Sequence, residues 1–66
     1  MTEYTIILLE PDTYIGLLHN LAPNLYTMIH RNGTISGTLD ITTISYSVIS
    51  THNDILELSS AMDQLI

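Results

Sequence analysis

The chain has 66 residues, seven of them aspartate or glutamate, with Arg31 as the one cation of the lysine and arginine type, so the net charge is −6. This shortage of cations excludes direct binding to nucleic acid or to anionic membranes, because both require clustered lysine and arginine. Charged residues make up 12% of the chain, so much of its surface must be hydroxyl, amide or apolar, which favours self-association or a bound partner.

The first predicted element is a strand over Tyr4–Leu9. Its short, continuous isoleucine- and leucine-rich run is typical of a strand buried on both faces, and therefore of a central strand. Pro11 has no backbone donor and ends it. Glu10 and Asp12 flank this proline, and we interpret them as a strand stop and a helix cap rather than as a catalytic pair, because no third group accompanies them.

A helix from Thr13 to Leu21 is predicted next. Asp12 or Thr13 caps it, and Pro23 ends it. Ile15 lies outside its apolar stripe and is predicted to be exposed. The stripe has the i, i+3, i+4, i+7 spacing of one helical face and consists of Tyr14, Leu17, Leu18 and Leu21.

Asn32-Gly33 predicts a hairpin tip, because both residues tolerate the positive φ of a type I′ turn. A two-residue loop would set the register. The predicted pairs are Arg31 with Thr34, His30 with Ile35, Met28 with Gly37, and Tyr26 with Leu39. Ile44, Tyr46 and Val48 alternate with Ser45, Ser47 and Ile49, which predicts another strand with one apolar side. A tight turn within residues 40–43 would join it to the hairpin.

The final helix is predicted to begin near Asn53 or Asp54. Asp54 and Glu57 form a variant of the capping box. On a helical wheel, Leu56 falls on the polar face, away from the buried stripe. That stripe is predicted to contain Ile55, Leu58, Met62 and Leu65.

Together these elements predict one domain, residues 1–66, of the α+β class. It has two layers in the order β-α-β-β-β-α, with a mostly antiparallel four-stranded sheet and both helices on one face. The other face would be uncovered and free of charge, and edge strands without lysine do not prevent pairing. We therefore expect a homodimer or higher oligomer with an interface formed by Thr27, Ile29, Ser36, Thr38, Ser47 and Ile49.

No catalytic group, metal site or cofactor is predicted. The three histidines are not spaced as metal ligands, and no nucleophile motif of the Gly-x-Ser-x-Gly kind is present. The absence of cysteine excludes disulfides and suggests a reducing compartment. With no signal peptide or membrane-spanning run visible, we expect the chain to be cytoplasmic.

The function expected from these features is that of a small acidic interaction module. It would inhibit or regulate a protein partner that has a basic surface, as phage- or plasmid-type inhibitors and nucleic-acid mimics do. The alternatives are an oligomer that binds a small ligand where tyrosines and Arg31 converge between subunits, and an enzyme with an intersubunit site. The partner-binding residues are predicted to be Glu10, Asp12, Arg31, Asp54, Leu56, Glu57 and Asp63.

Overall fold

The computed structural model describes residues 3–65, which form five strands and one helix. All pairings are antiparallel, and the strands lie side by side in the order β4-β3-β2-β1-β5. The predicted β-α-β-β-β-α order, with its four-stranded sheet and two helices, is therefore wrong. The elements are β1 (Tyr4–Leu9), β2 (Thr13–His19), β3 (Leu25–Ile29), β4 (Ile35–Asp40), β5 (Tyr46–His52) and α1 (Ile55–Asp63).

The segment predicted as the first helix is strand β2. It pairs with β1 across the turn at residues 10–12, and Pro23 lies in the following loop. Leu17 and Ile15 lie in one buried cluster, whereas Tyr14 and Leu18 pack against the other. A short strand that is apolar on both faces can also match the residue spacing of one helical face. Spacing alone therefore does not distinguish such a strand from a helix. Ile15, which the predicted helix would leave exposed to solvent, is only 5% exposed in the sheet.

Each face of the sheet carries a buried core, so the face opposite α1 is not the uncovered, uncharged face that was predicted. The face toward α1 has a core of Ile6, Ile29, Leu58 and Met62. The opposite face has a core of Ile7, Ile15 and Leu17, covered in part by Ile41 and Ile44 from the chain between β4 and β5. β1 contributes Ile6 to one core and Ile7 to the other, which confirms its prediction as a strand buried on both faces.

The chain between β4 and β5 is a 3₁₀ turn over Ile41–Thr43. Asp40 caps this turn by accepting hydrogen bonds from the Thr42 hydroxyl at 2.6 Å and from the Thr42 backbone N–H at 3.0 Å. Both hydrogen bonds lower the pKa of Asp40 because they stabilise its ionised form, and the bond from the Thr42 hydroxyl has the larger effect. The turn predicted here is present, and it leads to β5, which lies beside β1 in the sheet.

The β3–β4 hairpin has its tip at Asn32-Gly33, as predicted, but its loop is one residue longer. The His30 N–H donates to the Thr34 carbonyl at 2.8 Å, and the Gly33 N–H donates to the His30 carbonyl at 2.9 Å. Gly33 has a φ of 86°, which suits the left-handed position of a three-residue loop.

This longer loop shifts the register by one residue near the tip. Ile35 pairs with Ile29 rather than with His30, and Ser36 pairs with Met28. Gly37 is then an extra, bulged residue, and beyond it the predicted pairing of Tyr26 with Leu39 is found. The predicted pairings of Arg31, His30 and Met28 are wrong for this reason.

α1 begins where the sequence predicts. The Asp54 side chain accepts a hydrogen bond of 2.6 Å from the Leu56 N–H, which satisfies one of the free donors at the helix start. Leu58 and Met62 are buried, whereas Ile55 is exposed. Within residues 3–65, no helix is long and apolar enough to span a membrane.

Candidate functional site

Within residues 3–65, the exposed large apolar side chains fall into two groups and one isolated residue. Three belong to the edge strand β5, and three surround the gap between the β3–β4 hairpin and α1. The isolated one is Leu21, in the loop between β2 and β3. The β5 group is Tyr46, Val48 and Ile49, and the group beside the gap is Ile35, Ile55 and Leu56.

The gap is an apolar groove of about 180 Å³, which we call the hairpin–helix groove. Its floor consists of the buried side chains of Ile29, Leu58 and Met62. Its walls are Ile35 on one side and Ile55 with Leu56 on the other. The most exposed wall residue is Leu56, at 77%. Large exposed apolar groups around a preformed concavity are typical of binding sites.

Arg31 and His30, beside the hairpin tip, also line this groove. Within residues 3–65 the one ion pair joins His52 to Glu57, so Arg31 pairs with none of the carboxylates described. The nearby start of α1 is already capped by Asp54. The positive charge available to a ligand in the groove is therefore the Arg31 guanidinium.

Leu56 and Arg31 are the predicted site residues that the structure brings together. Glu10 and Asp12 lie in the turn between β1 and β2, and Asp54, Glu57 and Asp63 belong to α1 or its cap. All five carboxylates are exposed. The acidic candidates therefore occupy two separate elements, of which α1 also forms a wall of the groove.

Two groove residues, Ile35 and Ile55, were not predicted as site residues. The two-residue loop register paired Ile35 with His30, and the helical wheel placed Ile55 in the buried stripe of the helix. Ile55 is the first residue of α1 and is 45% exposed, so the apolar stripe is partly uncovered at the start of the helix. A three-residue loop, read from Gly33 in the left-handed position, would have placed Ile35 opposite Ile29.

A hydrogen-bonded chain joins β5 to α1. The Ser50 hydroxyl lies 2.8 Å from His52 Nε2, and His52 Nδ1 lies 2.7 Å from a Glu57 carboxylate oxygen. Glu57 thus contacts His52 instead of completing the predicted capping box. The atoms match those of a nucleophile, base and orienting acid. However, the carboxylate of Glu57 is exposed, and Ser50 does not line the hairpin–helix groove. We interpret the chain as an attachment of α1 to the sheet.

The predicted oligomer interface is dispersed over three strands. Ser36 and Thr38 lie on the edge strand β4, and Ser47 and Ile49 on the edge strand β5. Thr27, on β3, donates a hydrogen bond of 2.8 Å to Asn20. Ile29 is 5% exposed beneath α1, so it is not available at a free surface.

A second cavity, also of about 180 Å³, opens on the face of the sheet opposite α1. Tyr26 and Tyr46 line it, together with Val48 at the β5 edge. Within one copy of the chain, Arg31 lines the hairpin–helix groove rather than this cavity. The expected convergence of tyrosines with Arg31 concerns two subunits and stays a prediction.

Among residues 3–65, no three histidine, aspartate or glutamate side chains come together in a way that could hold a metal ion. Comparison with protein-family models, with curated proteins and with solved structures found no match. The function must therefore be argued from the surfaces themselves.

Proposed function

We propose that the protein is a self-associating interaction module that binds a protein partner with a basic surface and thereby inhibits or regulates it. The observation that carries this proposal is the hairpin–helix groove, which joins an exposed apolar anchor, Leu56, to an acidic helix. Binding energy usually concentrates in a few apolar or arginine anchors, whereas surrounding charges steer association.

Asp63 supports the acidic contact. It is the last residue of α1, and no basic residue lies in the last helical turn. A carboxylate there is disfavoured by the helix dipole, whose C-terminal end is negative. It makes no side-chain hydrogen bond or ion pair in the part of the chain described. A positively charged side chain of a partner, placed near Asp63, would offset this unfavourable interaction with the helix dipole.

The charge contribution is tested with proteins captured on the immobilised chain. We expect the double variant Glu57→Gln with Asp63→Asn to slow association and to reduce the loss of binding that rising salt causes, because fewer charges are screened. Glu3→Gln is the control, since it removes an exposed carboxylate outside the proposed surface. Binding that is insensitive to salt and to both α1 substitutions would contradict the proposal.

Self-association is proposed to use the β5 edge. This strand has no charged residue of the aspartate, glutamate, lysine or arginine type and exposes Tyr46, Val48 and Ile49. Ile49 is itself a bulged residue, between Val48 paired to Ile7 and Ser50 paired to Ile6. An uncharged, apolar edge of this kind is a surface that soluble monomers normally protect.

We expect light scattering to give at least a dimer at micromolar concentration, and Ile49→Lys to produce monomers with an unchanged cooperative melt. Thr38→Lys, on the opposite edge β4, is the matched control and should leave the oligomer intact. A monomeric wild type, or dissociation by Thr38→Lys alone, would contradict an interface at β5.

A small-ligand function remains the second candidate, favoured by the cavity between Tyr26 and Tyr46. Its rim includes Val48 of the proposed β5 interface, so a second copy would help to close it. The capture experiment separates the two functions, because an oligomer that binds only a small ligand should retain no protein.

A further inference from the structure

We infer that the hairpin–helix groove accepts one apolar side chain of a peptide segment that carries a carboxylate one or two residues away. This inference rests on the proposed function in that it takes the groove to be a partner site. It goes further by specifying the chemistry of the segment that enters the groove.

The size of the groove defines the apolar part of the segment. Its volume of about 180 Å³ is below the roughly 300–1,000 Å³ of pockets that hold drug-sized ligands. The groove therefore suits a single leucine, isoleucine, methionine or phenylalanine side chain. Contact with Ile35 and Leu56 would remove from water two of the most exposed apolar side chains of the protein.

The charge at the groove defines the polar part. Arg31 is the one lysine- or arginine-type cation of a chain with seven carboxylates, yet it pairs with none of those described. A guanidinium binds one carboxylate through two parallel hydrogen bonds. A single carboxylate beside the apolar residue therefore matches a single arginine, whereas a polyphosphate or nucleic acid would require more cations.

This segment differs in charge from the surface expected to contact α1. Carboxylates at Asp54, Glu57 and Asp63 favour basic groups, whereas Arg31 in the lining of the groove favours an acidic one. A partner that satisfies both presents an acidic–apolar segment to the groove and basic residues to the helix. The opposite charge preferences also allow the two contacts to be measured separately.

The test is selection of random heptapeptides, displayed with both ends blocked, on the immobilised wild-type protein. We expect enrichment of sequences with an apolar residue and an aspartate or glutamate within two positions. A synthetic peptide of the enriched sequence should lose about tenfold in affinity on Arg31→Gln, because a hydrogen bond to a charged group is lost. Replacing its acidic residue by the corresponding amide should have the same effect, without a further loss on Arg31→Gln.

Leu56→Ala should weaken the same peptide, whereas Leu21→Ala, which removes an even more exposed leucine outside the groove, should not. Circular dichroism of each variant checks that the fold is retained. Enrichment of basic peptides that depend on Glu57 and Asp63 would overturn this inference and leave the proposed function standing. Absence of any enrichment would overturn the inference as well, and the salt-dependent capture would then decide the proposed function on its own.

Discussion

Leu58→Ala should lower the free energy of unfolding by about 2–5 kcal/mol, the range for a large-to-small change in a core that cannot collapse around the cavity. Leu58 is 1% exposed and packs in the cluster with Ile6, Ile29 and Met62. It also forms part of the floor of the hairpin–helix groove. Urea unfolding followed by circular dichroism measures the change.

Leu56→Ala is the matched control, the same substitution two residues earlier on the same helix. Leu56 is 77% exposed, so this change should alter the free energy of unfolding by no more than about 0.5 kcal/mol. Equal losses for both variants would mean that α1 presents a different face to the sheet. The groove, and the role proposed for Leu56 in it, would then be wrong.

Gly16→Val should destabilise the protein by about 1–3 kcal/mol through overpacking. A Cβ atom at Gly16 would lie 3.2 Å from Leu58 Cδ2, 3.2 Å from Met62 Sδ and 3.3 Å from the Ile29 carbonyl oxygen. The two side-chain ends can move, but the carbonyl belongs to the paired strand β3. A branched side chain therefore pushes α1 away from the sheet.

Gly37→Val is the control for this prediction, because nothing lies within 4 Å of a Cβ atom at Gly37. We expect it to leave stability nearly unchanged in the same urea titration. The comparison also tests the architecture, since in a helix over Thr13 to Leu21 Gly16→Val would be close to neutral. A neutral Gly16→Val would thus contradict strand β2 and its contact with α1.

The elements that the sequence predicts correctly are those with local signals. β1 has a short apolar run closed by Pro11, the hairpin tip has Asn32-Gly33, and α1 has Asp54 as its cap. β2 has no such signal, and its helix-like spacing was misleading. Gly16 was the clue, because a glycine within an apolar run also marks a close approach of another element.

The order of the strands in the sheet could not be predicted from the sequence, for a different reason. Pairing of β5 with β1 joins residues that are distant in sequence, from Leu9 with Tyr46 to Tyr4 with His52, and is decided by burial of both sheet faces. The predicted free face followed from placing two helices on the same face of the sheet. Ile29, expected at an oligomer interface, lies instead beneath α1.

The candidate site was predictable in part. The helical wheel placed Leu56 on the exposed face, and the hairpin signal placed Arg31 beside the tip. Their convergence on one groove depends on how α1 crosses the sheet, which no local pattern specifies. Ile35 was missed because a single additional loop residue changes its partner from His30 to Ile29.

The measurement that tests the central claim most directly is the rate at which a captured protein partner dissociates from Leu56→Ala and from Leu21→Ala. Both variants remove one exposed leucine, but only Leu56 belongs to the hairpin–helix groove. We predict dissociation about tenfold faster from Leu56→Ala, as for an interface anchor, and an unchanged rate from Leu21→Ala. Equal rates for the wild type and both variants would contradict the groove as the binding site.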